Sequence, residues 1–307
     1  MLKEISAPAV SALSRFGNSI YPDRNARPLI ISGSPRGGTT WAAESVARLY
    51  SSDRILWEPL QDGNISARGL PLGKRPFLQE GRVEKSVDDF FSALLSGKCA
   101  NAHLLRLRQH PQNILSLFGN RPPVIKFVRG NGVVGYLRRH FDLPLPLVMI
   151  RHPCAVVASQ LKMGIWSDHP HVDAELLNRM PKLRSVVRRN APLHLRLAMT
   201  WAGDVLAARE NAEDVQCVYY EDLVERGSST LWPVLQSWGW GEPPASMGEV
   251  MAAPSSTTHE WSTVSTAEEK LKRWQTQLAP EIINDVLEVC HHMGVEDYCE
   301  GLRPRSG

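Results

Sequence analysis

The sequence predicts an α/β fold in which a central, mainly parallel sheet of about five strands lies between layers of helices. Two observations support this prediction. Short apolar runs alternate along the chain with segments whose apolar residues recur every three or four positions. The first apolar run also leads through a glycine-rich turn into a helical segment, as at the start of a βαβ unit. The length, 307 residues, is sufficient for a large buried core.

Five short runs are predicted to be the strands. Most are too continuously apolar for half-exposed strands, and such runs are typical of strands that helices cover on both faces. The predicted strands lie at 28–32, 54–57, 124–128, 147–150 and 215–220. Helices are predicted between and after them, because apolar residues there share one helical face, at 39–50, 84–118, 154–161, 193–211 and 280–293.

The chain is predicted to form one domain, 28–307, preceded by an N-terminal arm. Residues 1–27 end in the polar run YPDRNARP, which suggests a frayed or loosely docked segment. Residues 162–192 are polar, basic and contain His and Pro, and they are predicted to form an inserted loop or cap. The sequence contains no repeat of fixed period.

Composition excludes several classes of protein. With 43% hydrophobic and 22% charged residues, the chain is neither disordered, collagen-like nor a coiled coil as a whole. A net charge of +3 permits an anionic ligand but does not favour a nucleic-acid partner. The five scattered cysteines suggest neither a disulfide framework nor a zinc site. No apolar run is long enough for a membrane span or a secretory signal, so a cytoplasmic location is expected. The oligomeric state stays open.

The segment from Gly33 to Gly38 has the spacing of a phosphate-binding P-loop. Such a loop turns backbone N–H groups towards an anion, and the following helix N-terminus adds positive potential. The lysine of nucleoside-triphosphate loops is replaced by Thr39, and a cation, Arg36, lies inside the loop instead. The fourth strand leads into Arg151 rather than an acidic residue suited to magnesium. A phosphate or phosphosulfate bound without metal is therefore predicted; a glycine turn that binds nothing is the alternative.

Five segments, in chain order, resemble the sulfotransferases that use 3′-phosphoadenosine 5′-phosphosulfate (PAPS). SPRGGTTW at 34–41 is similar to their 5′-phosphosulfate loop, and LVMIRHPCAVVASQL at 147–161 to their 3′-phosphate segment. Two segments resemble the Golgi carbohydrate branch of this family, namely WEPL at 57–60 and the tail from 272 to 295. The family's YEDL strand end resembles VYYEDLV at 218–224. Arg36 occupies the basic loop position as in the carbohydrate (GlcNAc-6-O-like) and tyrosylprotein branches. The glycine-rich RKG…GDWK segment of cytosolic members is missing.

This resemblance implies which residues bind the donor. Arg36 would stabilise the departing 5′-phosphate, and Arg151 with Ser159 would hold the 3′-phosphate. Trp41 and Tyr220 would contact adenine, although a core role is an alternative for each. The resemblance implies that PAPS is the donor and 3′,5′-adenosine bisphosphate (PAP) the product, with no metal. The implied donor-binding set is Arg36, Gly37, Gly38, Thr39, Thr40, Trp41, Arg151, Ser159 and Tyr220, with Ser262 and Thr263 as weaker candidates. For Thr39 or Thr40, helix N-capping is the simpler alternative.

Glu58 is the candidate general base, because the acceptor hydroxyl must lose its proton as the new bond forms. The alternative is an exposed Glu58 paired with Arg54 or Lys74. Lys126 lies in an otherwise apolar strand, where a charge needs a partner. The resemblance implies that Lys126 helps to position sulfonate oxygens, and a lysine on an edge strand is the alternative.

The predicted function is in-line transfer of a sulfuryl group from PAPS to a hydroxyl of a carbohydrate, glycan or other small acceptor. Two other functions stay possible: an ATP-dependent P-loop phosphotransferase, and a nucleotide-binding module without catalysis. The absent loop lysine opposes the first, and the presence of Arg36, Glu58 and Arg151 opposes the second. Four basic residues could face an acidic acceptor or simply be solvated, namely Lys182, Arg184, Arg188 and Arg189.

Overall fold

The computed structural model describes residues 7–20, 27–52, 54–61, 69–99, 101–164, 171–256 and 266–304. Within these ranges five strands form one sheet in the order β2-β3-β1-β4-β5, and each neighbouring pair is parallel. The α/β prediction is confirmed. The strands are β1 (Leu29–Gly33), β2 (Ile55–Trp57), β3 (Val124–Lys126), β4 (Leu147–Ile150) and β5 (Gln216–Tyr219).

Helices cover both faces of this sheet. In the described ranges they are α1 (Ala7–Ile20), α2 (Thr39–Leu49), α3 (Lys85–Leu95), α4 (Val134–His140), α5 (Pro153–Met163), α6 (Ala174–Arg179), α7 (Leu183–Val186), α8 (Leu193–Arg209), α9 (Tyr220–Arg226), α10 (Ser228–Ser237), α11 (Met247–Ala252), α12 (Ala267–Gln277) and α13 (Pro280–His292). Two 3₁₀ helices, Pro111–Phe118 and Ala212–Asp214, complete the set. None of the helices in these ranges is long and apolar enough to cross a membrane.

Alternate residues of the central strands point to opposite faces and so enter different parts of the core. Ile30 of β1 packs in the cluster that contains Phe90 and Phe91 of α3. Its neighbours Leu29 and Ile31 pack in the cluster that contains the apolar face of α2. A third cluster, built from α5, α8 and α13, continues the core beyond β4. The sheet is thus buried on both faces, which explains why its central strands are continuously apolar.

The helix predicted over 84–118 is only partly correct. The structure has α3 from Lys85 to Leu95, then turns, and then the 3₁₀ helix that begins at Pro111. Gly97 adopts a left-handed conformation (φ 70°) just after α3, as is common where helices end. Pro111 has no N–H for a continuing helix, but it fits the first turn of a new one. The prediction rested on the spacing of apolar residues, which does not show the helix end at Gly97 or the new start at Pro111.

The N-terminal segment is more ordered than the loosely docked arm that we expected. Residues 7–20 form α1, which packs on the Pro111–Phe118 helix. Val10 is completely buried, and the buried Ser14 hydroxyl donates to the Gly97 carbonyl at 2.8 Å. The amphipathic pattern of this segment is therefore that of a docked helix. Residues 1–6 and 21–26 lie outside the described ranges, and the division into arm and domain stays a prediction.

The segment predicted as an inserted loop or cap, 162–192, contributes to the core where it is described. Leu176 of α6 and Leu183 of α7 are buried in the cluster formed by α5, α8 and α13. Residues 165–170 lie outside the described ranges. Since two short helices anchor the segment, its described part is packed structure rather than a free loop.

Candidate functional site

A cavity of about 1800 Å³ opens at the carboxyl ends of the parallel strands. Ligands of open α/β sheets bind at this edge, near the point where the strand order reverses. Here that point is β1, since β3 and β2 lie on one side of it and β4 and β5 on the other. The structure brings ten predicted site residues together in the cavity wall: Arg36, Gly38, Thr39, Thr40, Trp41, Glu58, Lys126, Arg151, Ser159 and Tyr220.

The loop between β1 and α2 is wound tightly. The N–H of Gly37 donates to the Ser34 carbonyl at 2.9 Å, so this amide is used within the turn, and Gly37 is not part of the cavity wall. Arg36 and Gly38 both adopt positive φ, 70° and 90°. A side chain at Gly38 would also displace Tyr220, because a Cβ there would lie 2.6 Å from Cδ2 of that ring.

Gly38 is the N-cap residue of α2, and no side chain caps this helix end. Thr39 and Thr40 are the first two helical residues, so neither is the N-cap that we considered as an alternative. The uncapped first turn presents N–H groups and the positive end of the helix dipole at the cavity. This arrangement suits an anion such as a phosphate.

A buried polar network supports the loop from behind. Asp204 of α8 accepts hydrogen bonds from the Ser34 hydroxyl and from Nε of Arg75, both at 2.8 Å. Nδ2 of Asn131 donates to the Asp204 carbonyl at 2.9 Å, and Nε2 of Gln160 donates to Pro35 at 3.0 Å. Burial raises the pKa of Asp204, and the Arg75 charge opposes that shift. The sequence analysis did not predict this network. An acidic residue within the apolar helix α8 could have indicated it, because a buried carboxylate needs a partner.

Two guanidinium groups lie together beside the loop. Nε of Arg36 donates to the Ser159 hydroxyl at 2.9 Å, and Nη1 of Arg151 donates to the Arg36 carbonyl at 3.1 Å. Burial, and then the charge of Arg151, lowers the pKa of Arg36. Nε of Arg151 is buried and makes no hydrogen bond within the part of the chain that the structure describes. An anion bound here would offset the repulsion and supply the missing acceptor.

Tyr220 connects the loop to Arg151. It is the first residue of α9 rather than the last residue of the predicted strand, since β5 ends at Tyr219. The Arg151 guanidinium carbon lies 4.5 Å from the centroid of the Tyr220 ring, and the Trp41 ring meets Tyr220 edge-on at 6.5 Å. Because Tyr220 touches both Gly38 and Arg151, it positions Arg151. Its contact with adenine stays a prediction.

Glu58 and Lys126 form a pair that also lines the cavity. In the parallel register, Trp57 at the end of β2 pairs with Lys126 at the end of β3, which places the next residue, Glu58, beside that lysine. Nζ of Lys126 donates to Oε1 of Glu58, and the Val128 N–H donates to Oε2 at 2.9 Å. Lys126 is only 3% exposed, and burial lowers its pKa against the effect of Glu58. β3 is an interior strand, so the edge-strand alternative for Lys126 is wrong.

The backbone of Glu58 is in an unusual conformation. Its φ is 49°, a region that residues other than glycine rarely adopt outside turns and functional sites. The Glu58 N–H donates to the Lys126 carbonyl at 2.9 Å, and the Glu58 carbonyl accepts from Gln61 at 3.0 Å. These bonds fix the turn after β2, and with it the carboxylate in the cavity wall. A fixed carboxylate that faces a cavity can accept a proton from a bound hydroxyl.

The cavity is strongly basic. Its described lining contains eleven Lys or Arg side chains and two carboxylates, Glu58 and Glu225. No group of three or more potential His, Cys, Asp or Glu metal ligands occurs in the described ranges. Sequence reasoning missed most of these cations because they come from distant segments. The basic residues that it singled out, Lys182, Arg184, Arg188 and Arg189, are exposed and do not line the cavity. Ser262 and Thr263 lie outside the described residues.

Comparison with known proteins gave matches among solved structures alone. No family model matches the chain, and no curated protein matches it. The sulfotransferase domain from the curacin biosynthetic pathway is 16% identical, with a TM-score of 0.46, over 88% of this chain and 98% of that domain. The sulfotransferase domain from the Synechococcus PCC 7002 olefin synthase is 16% identical, with a TM-score of 0.43, over 87% and 95%.

Proposed function

We propose that this protein is a sulfotransferase that moves the sulfuryl group of PAPS to a hydroxyl of a carbohydrate or other small acceptor. One observation carries the proposal. A phosphate-type loop and two guanidinium groups line a cavity, and a carboxylate paired with a buried ammonium lines the same cavity. The loop and the guanidinium groups suit an anionic donor, and the carboxylate and the ammonium supply a base and a cation for transfer to a hydroxyl.

The donor would lie along the loop and the guanidinium groups. The first-turn N–H groups of α2, with Thr39 and Thr40, would bind the 5′-phosphosulfate. Arg151 and Ser159 would bind the 3′-phosphate, since a guanidinium donates two parallel hydrogen bonds to a phosphate. Arg36 lies between these two positions, because its Nε bonds to Ser159 while its backbone belongs to the loop. One side chain would therefore connect the binding of both phosphates.

In the reaction, the acceptor oxygen would form a bond to sulfur while the bond from sulfur to the 5′-phosphate oxygen breaks. Glu58 would take the hydroxyl proton, and the electron pair of the broken bond would stay on the 5′-phosphate. Arg36 would stabilise that developing charge. Positioning and cations should dominate such an in-line transfer, by analogy with phosphoryl transfer. Lys126 would hold Glu58 in place and offer a charge close to the sulfonate oxygens.

Ligand binding to the purified protein tests the donor. We expect PAP to raise the unfolding temperature without a metal, and ATP or AMP to do so weakly. A ligand at a hundred times its Kd stabilises the folded state by about 2.7 kcal/mol. A preference for Mg-ATP over PAP would indicate a phosphotransferase instead. PAP binding without transfer of labelled sulfate from PAPS to any hydroxyl acceptor would indicate a module without catalysis.

A further inference from the structure

The cavity contains more cations than the proposed donor site uses. Arg75 pairs with Asp204 at 2.8 Å behind the loop, and Lys126 pairs with Glu58. The carboxylates of the described lining are Glu58 and Glu225, so positive charge exceeds negative charge in the cavity. Seven further basic side chains of the described lining have no role in the proposed donor site: Lys74, Arg106, Arg129, Lys162, Arg226, Lys270 and Arg273.

Among these seven side chains, Arg106 stacks on an aromatic ring. Its guanidinium carbon lies 3.8 Å from the centroid of the Trp57 ring, so the ring supports the flat face of the group. Its backbone is left-handed (φ 52°), and the Arg106 carbonyl accepts the N–H groups of Gln109 and His110 at 3.1 and 2.8 Å. Arg106 and Glu58 line the same cavity. Burial lowers the pKa of Arg106, and the nearby Glu58 charge opposes that shift, so this guanidinium lies near the proposed base. The N–H groups at its edge stay available for a second ligand, since stacking uses the face.

We propose that the acceptor carries an anionic group, a carboxylate or a phosphate, in addition to the hydroxyl, and that Arg106 binds this group beside Glu58. The inference rests on the proposed function. A planar guanidinium supported by a ring recognises such a group with two parallel hydrogen bonds. A cavity with an excess of like charge also concentrates ligands of opposite charge. A neutral hydroxyl acceptor would leave the edge of the Arg106 guanidinium without an anionic ligand.

Matched acceptor pairs test the inference on the protein saturated with PAP. The pairs are p-nitrophenyl β-glucuronide with the β-glucoside, and glucose 6-phosphate with glucose. Within a pair the sugar is closely similar, and the charge differs. We expect calorimetry to show that the charged member of at least one pair binds at least tenfold more tightly. A preference within the glucuronide pair would identify the anionic group as a carboxylate, and a preference within the glucose 6-phosphate pair would identify it as a phosphate.

Arg106→Gln and Arg108→Gln are matched variants, because each removes one positive charge and Arg108 is exposed outside the cavity. Arg106→Gln should weaken the charged probe about 10- to 100-fold, the usual contribution of a charge-assisted pair, and Arg106→Lys should weaken it less. Arg108→Gln should change binding less than twofold. PAP affinity in each variant reports whether the fold and donor site are intact.

Equal binding of both members in every pair, or no binding of either, would overturn the inference. The proposed function would still stand in that case, provided that the protein binds PAP. Equal losses in the Arg106→Gln and Arg108→Gln variants also overturn it, because general surface charge would then explain the preference. Failure of the wild-type protein to bind PAP would refute the proposed function itself.

Discussion

Substitution of Gly38 by alanine should weaken both the fold and donor binding. The structure identifies two separate penalties at this position. The backbone has φ 90°, and a Cβ would lie 2.6 and 2.9 Å from two carbons of the Tyr220 ring. A second glycine, Gly239, has nearly the same φ, 88°, but nothing lies within 4 Å of a Cβ built there. Gly239→Ala therefore isolates the backbone penalty.

The two penalties can be estimated separately. A left-handed backbone costs a residue other than glycine about 1–2 kcal/mol, and we expect that loss of unfolding free energy for Gly239→Ala. Overpacking adds about 1–3 kcal/mol when neighbours must move, so Gly38→Ala should lose about 2–5 kcal/mol in total. The Tyr220 ring is the neighbour that must move. Arg151, which stacks on that ring at 4.5 Å, would move with it.

The assay combines urea denaturation with calorimetric titration of PAP for both variants. Gly38→Ala should lower PAP affinity at least tenfold, because the loop and Arg151 would both be displaced. Gly239→Ala should bind PAP like the wild-type protein. Equal destabilisation of the two variants, or wild-type PAP affinity in Gly38→Ala, would refute the reasoning that Tyr220 connects the loop to Arg151.

Four further predictions follow from single side chains. Arg36→Ala should slow PAP formation from PAPS about 10²–10³-fold, as for other preorganised donors, whereas the exposed Arg189→Ala should not. Glu58→Gln should slow transfer about 10²–10⁴-fold in single-turnover measurements, and an unchanged rate would exclude Glu58 as the base. Lys126→Met should lower the unfolding free energy measured in urea by about 3 kcal/mol, because it breaks a buried ion pair. Burial lowers the pKa of His152 to about 4. Between pH 6.5 and 4 this imidazole is therefore protonated in the unfolded chain but stays neutral in the folded protein. Unfolding free energy should therefore fall by up to about 3 kcal/mol from pH 6.5 to 4, and a slope that persists in His152→Gln would contradict this assignment.

The parts of the site that the sequence predicted are local in the chain. The strand, the loop around Arg36 and the helix that begins at Thr39 are contiguous, so spacing and residue type were enough to place them. The same holds for Arg151, which directly follows β4. The α/β class was predictable for a related reason, because strands buried on both faces leave a continuous apolar pattern in the sequence.

The parts that the sequence did not predict depend on which strands are neighbours. Lys126 looked compatible with an edge strand, because the order that places β3 between β2 and β1 is not encoded in its own segment. Arg75 and Asp204 are 129 residues apart and meet only in the fold. Motifs and periodicity therefore could not predict the residues that support the loop or most of the cations in the cavity lining.

The pairing of Glu58 with Lys126 has a consequence for the proposed chemistry. Before transfer, the carboxylate balances a buried ammonium that is only 3% exposed. If Glu58 accepted the hydroxyl proton as proposed, that balance would be lost, and an unpaired buried cation is costly. Negative charge would develop on the donor side at the same moment, and Lys126 could turn to it. Proton transfer to Glu58 would thus make the Lys126 ammonium available for the transition state, which explains why a base would be kept next to a buried lysine.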